Sequence, residues 1–417
     1  MTCRLFRPRR PFLVLLLVVP LLALLLAACG DQTVTLTVAT ILPTSGPDAP
    51  LGQAMQQAVD LAVSQNAAPG PGYRLTVTHL DEASASSGSA LGTLVANKQV
   101  LALVGPYDSQ TALALMPVVA HSGLLTISPG ATLPGLTLAD AAQAEQVPFA
   151  QLHPTGKPLV FFRLPPTDSA AGTAAADLAV APASAHGFAA GTVFVVNDGS
   201  PSGMALDAAF RQELVAKHAA IVGQATIALV NADSAQAAVT AIIEAQPNLV
   251  FYAGGLPAGA ALRGTLSLTG APELPILSAG PIADHPGWAT AVGVTPAAAN
   301  TAALLPAPDL STRPNAHAFV VAYQRAYPGQ TPLPQSALAY DAAMDQIAAI
   351  RLLIHQHQPV TRAAVRATVA AAKYAGVTGI LAFDANGDDT APGGFSLYAC
   401  DPNGVWHYQA SIMLPGQ

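Results

Sequence analysis

The stretch VLALVGPYDSQTALALMPVVAHSGLLTIS, residues 100–128, reads as a strand, a helix and a second strand. Val100 to Val104 is a short, wholly apolar run stopped by Gly105-Pro106. A helical pattern runs from about Ser109 to His121, and Leu124 to Ile127 is apolar again. Two buried strands joined by a helix imply a parallel pair with a crossover. Upstream, Val34 to Ile41 reads as a strand, Leu51 to Val63 carries apolar residues at helical spacing, Tyr73 to Thr78 alternates, and Ala90 to Val95 suggests a helix. This β-α alternation predicts a parallel sheet covered on both faces. Downstream it restarts, with strands at Val193–Val196, Ala225–Leu229, Leu249–Tyr252 and Pro275–Ser278. Helices fall at Met204–His218 and at Ser234–Ala245, the latter capped by its serine. The expected fold class is therefore α/β, with two doubly wound Rossmann-like lobes, a hinge and a cleft between them. Helical patterns at Pro314–Tyr327, Ala337–His357 and Thr361–Ala372 come next. A hairpin closes the chain, Phe395–Tyr398 and Val405–Tyr408 flanking the turn-forming Asp401-Pro402-Asn403-Gly404. Residues 134–158 and 295–315 are rich in proline and alanine and read as loops or crossovers.

At 417 residues the chain exceeds what one hydrophobic core usually organises, which agrees with two lobes. Hydrophobic residues make up 52% and charged ones 10%, but much of the apolar fraction is alanine. No uninterrupted run of membrane-spanning length follows the N-terminal segment. Net charge is −7, and the few basic residues include Arg4, Arg7, Arg9 and Arg10 at the extreme N-terminus, so the remainder is more acidic still. That argues against nucleic acid or anionic lipid as the main partner. The three cysteines, Cys3, Cys29 and Cys400, allow neither a disulfide framework nor a metal cluster.

The first thirty residues read as an address. Arginines precede an apolar run from Pro11 to Leu26, and Leu26-Ala27-Ala28-Cys29-Gly30 closes it. Residues 1–28 thus form the expected signal peptide. The ending resembles a bacterial lipobox, in which the Cys29 thiol is diacylated and becomes the new N-terminus. Acyl chains contributing ~0.8 kcal/mol per buried CH₂ would anchor the body extracytoplasmically, at the outer face of the cytoplasmic membrane or in the periplasm. An uncleaved anchor helix is the alternative.

Several stretches in order resemble the branched-chain amino-acid (Leu/Ile/Val) type of periplasmic binding protein, type I fold. They are Pro43 to Pro47 before Gly52; Val104-Gly105-Pro106 with Ser109; Ile127 to Pro134; and Phe162-Arg163 with Pro166, Asp168 and Gly172. Phe251 to Gly255, Tyr340-Asp341-Ala342, and Gly376 to Ile380 with Phe383-Asp384 and Gly387-Asp388 complete the series. The resemblance implies lobes interleaved along the chain: lobe 1 over 29–165, lobe 2 over 166–305, a return to lobe 1 over 306–378, and the lobe 2 terminus over 379–417. It also implies a small-molecule ligand in the cleft and delivery to an ABC permease in the membrane.

By the same resemblance Ser109, Gly130, Ala131 and Thr132 would clamp a ligand carboxylate. Small residues and a helix start after a strand suit that role, though an ordinary N-cap and turn would look the same. Asp168, at the first crossover, would meet an ammonium group or stand as a solvated hinge residue. Leu51, Ser202 and Leu256 occupy positions where aromatic residues are common in the family. No acid stands near Gly280-Pro281-Ile282, where the usual ammonium partner should fall, and Asp284 is the closest.

Other motifs are set aside. Asp384 to Asp389 lacks the glycine and the terminal glutamate of a calcium loop and reads as a turn. His355 and His357 lie on different faces of a helix end. No nucleophile elbow, phosphate loop or metal motif occurs, so neither enzyme, cofactor nor metal is expected. The expected function is a solute-binding lipoprotein that captures an amino acid or related small carboxylate for an ABC importer. The alternatives are a lipoprotein sensing a ligand for a membrane receptor, or one binding a protein partner without a small ligand.

Overall fold

The computed structural model describes residues 33–413 other than 229–232, 284, 294–297 and 392. The leader with Cys29, and Asp284, lie outside the described residues. Among those described, no helix is long and apolar enough to cross a membrane.

Strands β1 (Val34–Leu42), β2 (Tyr73–Asp81), β3 (Val100–Val104), β4 (Leu125–Ser128) and β5 (Phe161–Arg163) form one sheet, ordered β2-β1-β3-β4-β5 and parallel throughout. A second sheet begins with β6 (Thr192–Asn197), β7 (Ala220–Thr226), β8 (Leu249–Ala253), β9 (Ile276–Ala279) and β10 (Thr301–Leu305), again parallel. After a small pair, β11 (Tyr374–Ala375) with β12 (Ile380–Leu381), the closing hairpin β13 (Phe395–Cys400) and β14 (Trp406–Ile412) joins antiparallel to β10. The second sheet is thus ordered β14-β13-β10-β9-β8-β6-β7. The molecule has the two-lobed α/β architecture expected.

Local chemistry explains these elements. β1 is buried without interruption from Leu36 to Leu42, because helices cover both faces of its sheet. The helix Ala49–Gln65 buries Leu51, Met55, Ala58, Val59 and Ala62, a stripe at helical spacing. The helix Ser109–Ser122 starts where the Asp108 side chain accepts the Thr111 amide at 2.7 Å and stops at Gly123, φ +69°. Gly105 has φ +111°, and a Cβ there would lie 2.0 Å from the Ile41 carbonyl oxygen. Only glycine lets the loop after β3 lie so close to β1.

The helices Pro334–His355 and Arg362–Ala371 return to the first sheet. The Gln346 amide donates to the Leu103 carbonyl at 2.9 Å, and the Arg362 guanidinium donates to the carbonyls of Val95, Asn97 and Val100.

Two stretches read as loops contain structure. Residues 134–158 hold three short helical pieces, Pro134–Leu136, Ala139–Ala144 and Phe149–Leu152. The 295–315 stretch contains β10, which lies between β9 and β13 in the second sheet. Alanine has low strand preference, so Thr-Ala-Ala-Leu-Leu reads as a strand only when partners flank it. β7 starts earlier than the expected Ala225–Leu229, and Leu229 lies outside the described residues. The helices Asp168–Val180 and Leu256–Leu268 were not foreseen. The first is nearly all small residues, and a Cβ on Gly172 would lie 2.8 Å from the Leu206 carbonyl oxygen, so it packs flush on the helix Pro201–Ala216.

Candidate functional site

Each sheet reverses its winding direction once in its parallel part. In the first, β2 and β3 lie on opposite sides of β1; in the second, β7 and β8 lie on opposite sides of β6. Crevices form past the carboxyl ends of strands at such points. Here the two crevices contribute to one cavity of about 950 Å³, mouth included. The first sheet contributes Asp48, from the loop after β1, and Tyr107, Asp108 and Ser109 after β3. The second contributes Asp198, Ser200 and Ser202 after β6, and Gly254 and Gly255 after β8. The loop after β4, the start of the Asp168 helix and Gln335 at the start of the return helix complete most of the wall.

Ser109, Gly130, Thr132, Asp168 and Ser202, all foreseen as site residues, line this cavity. Ala131 and Leu51 are fully buried and Leu256 nearly so; they sit in the core and not on the wall. The sequence reading missed Asp48, Tyr107, Asp108, Asp198 and Gln335. The signal was available, since most of them follow a strand and precede a helix start, just as Ser109 does.

Hydrogen bonds fix the loops. Ser109 Oγ accepts the Thr132 and Leu133 amides at 3.0 and 3.1 Å, and Ser128 Oγ accepts those of Gly130 and Ala131 at 3.2 and 2.8 Å. The foreseen clamp loop therefore has its backbone donors engaged within the protein. Glu82, buried behind the wall, accepts the Tyr107 and Asp108 amides; burial pushes its carboxyl well up, against the pull of those bonds. Asp198 joins the loops after β6 and β8, accepting from Ser200 N at 2.9 Å and Gly255 N at 2.8 Å. Across the cavity, His285 Nδ1 accepts the Gly287 amide at 2.9 Å. Its Nε2–H is thereby left to donate to Asp48 Oδ1 at 3.2 Å.

Other polar atoms on the wall are unpaired. Asp168 Oδ2, Ser202 Oγ and both amide atoms of Gln335 are buried without a hydrogen-bond partner. Burial pushes the Asp168 carboxyl up to about 6, opposed by the nearby Thr132 and Ser202 hydroxyls and by the Arg163 charge. Neither hydroxyl completes a hydrogen bond to Oδ2. A buried unpaired polar group costs about 1–3 kcal/mol, so several on one cavity wall mark a surface shaped for something else to bind.

The sequence profile of the periplasmic binding protein family matches residues 35–404. The chain belongs to the periplasmic binding protein family. Its fold is that of solved members. LivJ of Streptococcus pneumoniae, a branched-chain amino-acid transporter substrate-binding protein in complex with isoleucine, is 22% identical over 91% of this chain and 100% of that one, TM-score 0.73. The leucine-binding protein LivK of Thermotoga maritima is 20% identical over 91% and 99%, TM-score 0.72. A solute-binding protein of an ABC transporter from R. palustris, in complex with benzoate, is 21% identical over 91% and 97%, TM-score 0.70. No curated protein matches the sequence. At such identities the likeness speaks for the fold, and membership makes this a binding protein and not an enzyme.

In this periplasmic binding protein the segments joining the lobes are tied by charge. Arg163, fully buried at the end of β5, donates from Nε to Asp388 Oδ1 at 2.7 Å and from Nη1 to the Leu133 carbonyl at 2.7 Å, and from Nη2 to Thr137 Oγ1. One guanidinium so binds the foreseen clamp loop to the last crossover. The would-be calcium loop is indeed a turn, with Asp384 Oδ1 accepting the Asn386 and Asp388 amides. Among the described residues no group of metal-ligating side chains occurs. Burial pushes the Cys400 thiol up to about 12, which leaves it packed and inert.

Proposed function

We propose that this protein captures a small polar solute in the interlobe cavity, outside the cytoplasm, and presents it to an ABC importer. Lipid attachment at Cys29 is part of the same reading and rests on the Leu26-Ala-Ala-Cys29 ending. The single observation that carries the capture is the set of unpaired buried atoms on Asp168, Ser202 and Gln335. These three come from the first crossover, the second lobe and the return helix, so one molecule touching all three would bridge the lobes. Hinge closure on a ligand uses that arrangement. The lobe boundaries near 165, 305 and 378, and binding roles for Ser109, Gly130 and Thr132, belong to the same proposal.

The resemblance suggests an amino acid or related small carboxylate. The cavity offers acceptors for the ammonium half of such a ligand: Asp168, Ser202, Gln335, and the outer carboxylates Asp48 and Asp108. These stand in for the acid that the sequence lacks near Pro281.

The test is a thermal-shift panel on a soluble chain starting at Asp31. A ligand at 100 times its Kd adds about 2.7 kcal/mol of stability. A panel that leaves a well-folded protein unshifted sinks solute capture. For the anchor, palmitate labelling should mark the full protein and not Cys29→Ser; an unlabelled full protein would argue for an uncleaved helix.

A further inference from the structure

We propose that the ligand is an N–H-bearing cation, a primary amine or guanidinium, that carries no carboxylate. This rests on the solute-capture reading above and departs from the amino-acid class that the resemblance suggests.

The cavity wall is acidic. Among the described residues, Asp48, Asp108, Asp168 and Asp198 line the cavity, and no lysine or arginine does. Arg163, whose charge acts on Asp168, is committed to Asp388 and to backbone. His285 has its Nδ1 occupied by the Gly287 amide, so its ring donates to Asp48 as the neutral tautomer. The opposing positive potential comes from helix N-termini. Six helices begin at or beside the wall, at Ala49, Ser109, Asp168, Pro201, Leu256 and Pro334. Each counts as roughly half a positive charge, about +3 in all, which four full carboxylates exceed. Several of these ends are also occupied from within. Asp108 caps the Ser109 helix, Thr167 the Asp168 helix, Ser200 the Pro201 helix, and Asp198 takes the Gly255 amide before the Leu256 helix.

A ligand carboxylate would need donors. The backbone amides of Gly130, Ala131, Thr132 and Leu133 already donate to the hydroxyls of Ser128 and Ser109. The donors left are first-turn backbone amides, such as those of Ser109 and Ser202, and single side-chain groups, and they face four carboxylates. Acceptors are plentiful: Asp168 Oδ2, Ser202 Oγ and Gln335 Oε1 are buried and unpaired. An ammonium has three protons and a guanidinium five, and Asp168, Ser202 and Gln335 offer acceptors on one cavity wall. A quaternary ammonium fits poorly, because among the described residues Tyr107 is the only aromatic side chain on the wall and such ions need an aromatic cage.

Matched pairs test this by calorimetry on the chain from Asp31: isoamylamine with leucine, cadaverine with lysine, agmatine with arginine, and choline and benzoate besides. The expected result is that at least one amine binds tenfold or more tighter than its amino acid, while choline and benzoate fail. Asp168→Asn should abolish that binding without lowering the melting temperature of the free protein, and Asp48→Asn should weaken it. An amino acid equal to or tighter than its amine overturns the inference, as does benzoate or choline binding, and both leave solute capture standing. No binding by any compound to folded protein overturns the inference together with solute capture.

Discussion

Asp168 and Asp341 are two buried aspartates whose carboxyls burial pushes to the same value, about 6, for opposite structural ends. Asp341, on the return helix, accepts the Val377 and Thr378 amides at 2.9 and 2.8 Å and the Thr378 hydroxyl at 2.5 Å. It pins the segment through which the chain leaves the first lobe for the last time. A Cβ on Gly376 would lie 2.4 Å from its Oδ2, so that loop closes directly over the carboxylate. Asp168 sits at the first exit and leaves Oδ2 with nothing. Two acids at two crossovers thus differ in whether the protein completes their hydrogen bonds. Where it does, the acid holds a joint; where it does not, the acid awaits a partner from outside.

Substitution should separate them most sharply at Asp341. Asp341→Ala leaves buried donors unpaired and frees the 376–379 segment, an expected loss of about 3 kcal/mol by denaturant unfolding. Asp168→Asn should do the reverse, because it removes a buried charge whose desolvation the Thr132 and Ser202 hydroxyls and Arg163 only partly offset. The free protein should gain about 2 kcal/mol while ligand binding is lost. A destabilised Asp168→Asn protein would mean that the carboxylate is structural after all.

Acidity blurs the contrast in stability and restores it in binding. Asp168, Asp341 and Asp389 titrate near 6 and Asp345 near 7, all raised by burial above the unfolded value near 3.9. The folded state therefore binds more protons than the unfolded one between about pH 4 and 7. Stability should rise as pH falls from 8 to 5, seen as a higher melting temperature, and Asp168→Asn should flatten part of that rise. Cation binding should go the other way, about tenfold weaker at pH 5 than at pH 8, as Asp168 takes up its proton. The smallest effect belongs to Asp401. Its exposed carboxyl is held down to about 2 by the Val405 amide, His407 and the Asn403 amide. Its contribution is present above the unfolded value and is lost as pH falls toward 2. Asp401→Asn should leave the melting temperature at pH 7 almost unmoved.

Much of this was legible in the sequence, for identifiable reasons. Several strands of the first sheet are apolar runs, and their ends place Ser109 and Thr132; the binding roles of these two and of Asp168 came from the family resemblance. β10 was not legible, because alanine marks neither strand nor helix once its neighbours are unknown. Gln335 was hidden by distance: it starts a helix far along the chain and reaches the cavity only because that helix packs on the first lobe. Leu51 and Leu256 misled by alignment with family positions that hold aromatic residues. As leucines they turn into the core, since nothing polar anchors them at the wall. Asp198 and Asp108 also serve as ordinary turn and cap residues.

The return helices have one more consequence, in the order of assembly. The first sheet is complete at Arg163, yet Pro334–His355 and Arg362–Ala371, which cover it, come after the parallel strands of the second sheet in the chain. Until they are made, the Leu51–Met55–Val59 stripe and its neighbours lack their lid. A nascent chain of this protein therefore cannot finish its first half until these helices have been made, after the parallel strands of the second sheet.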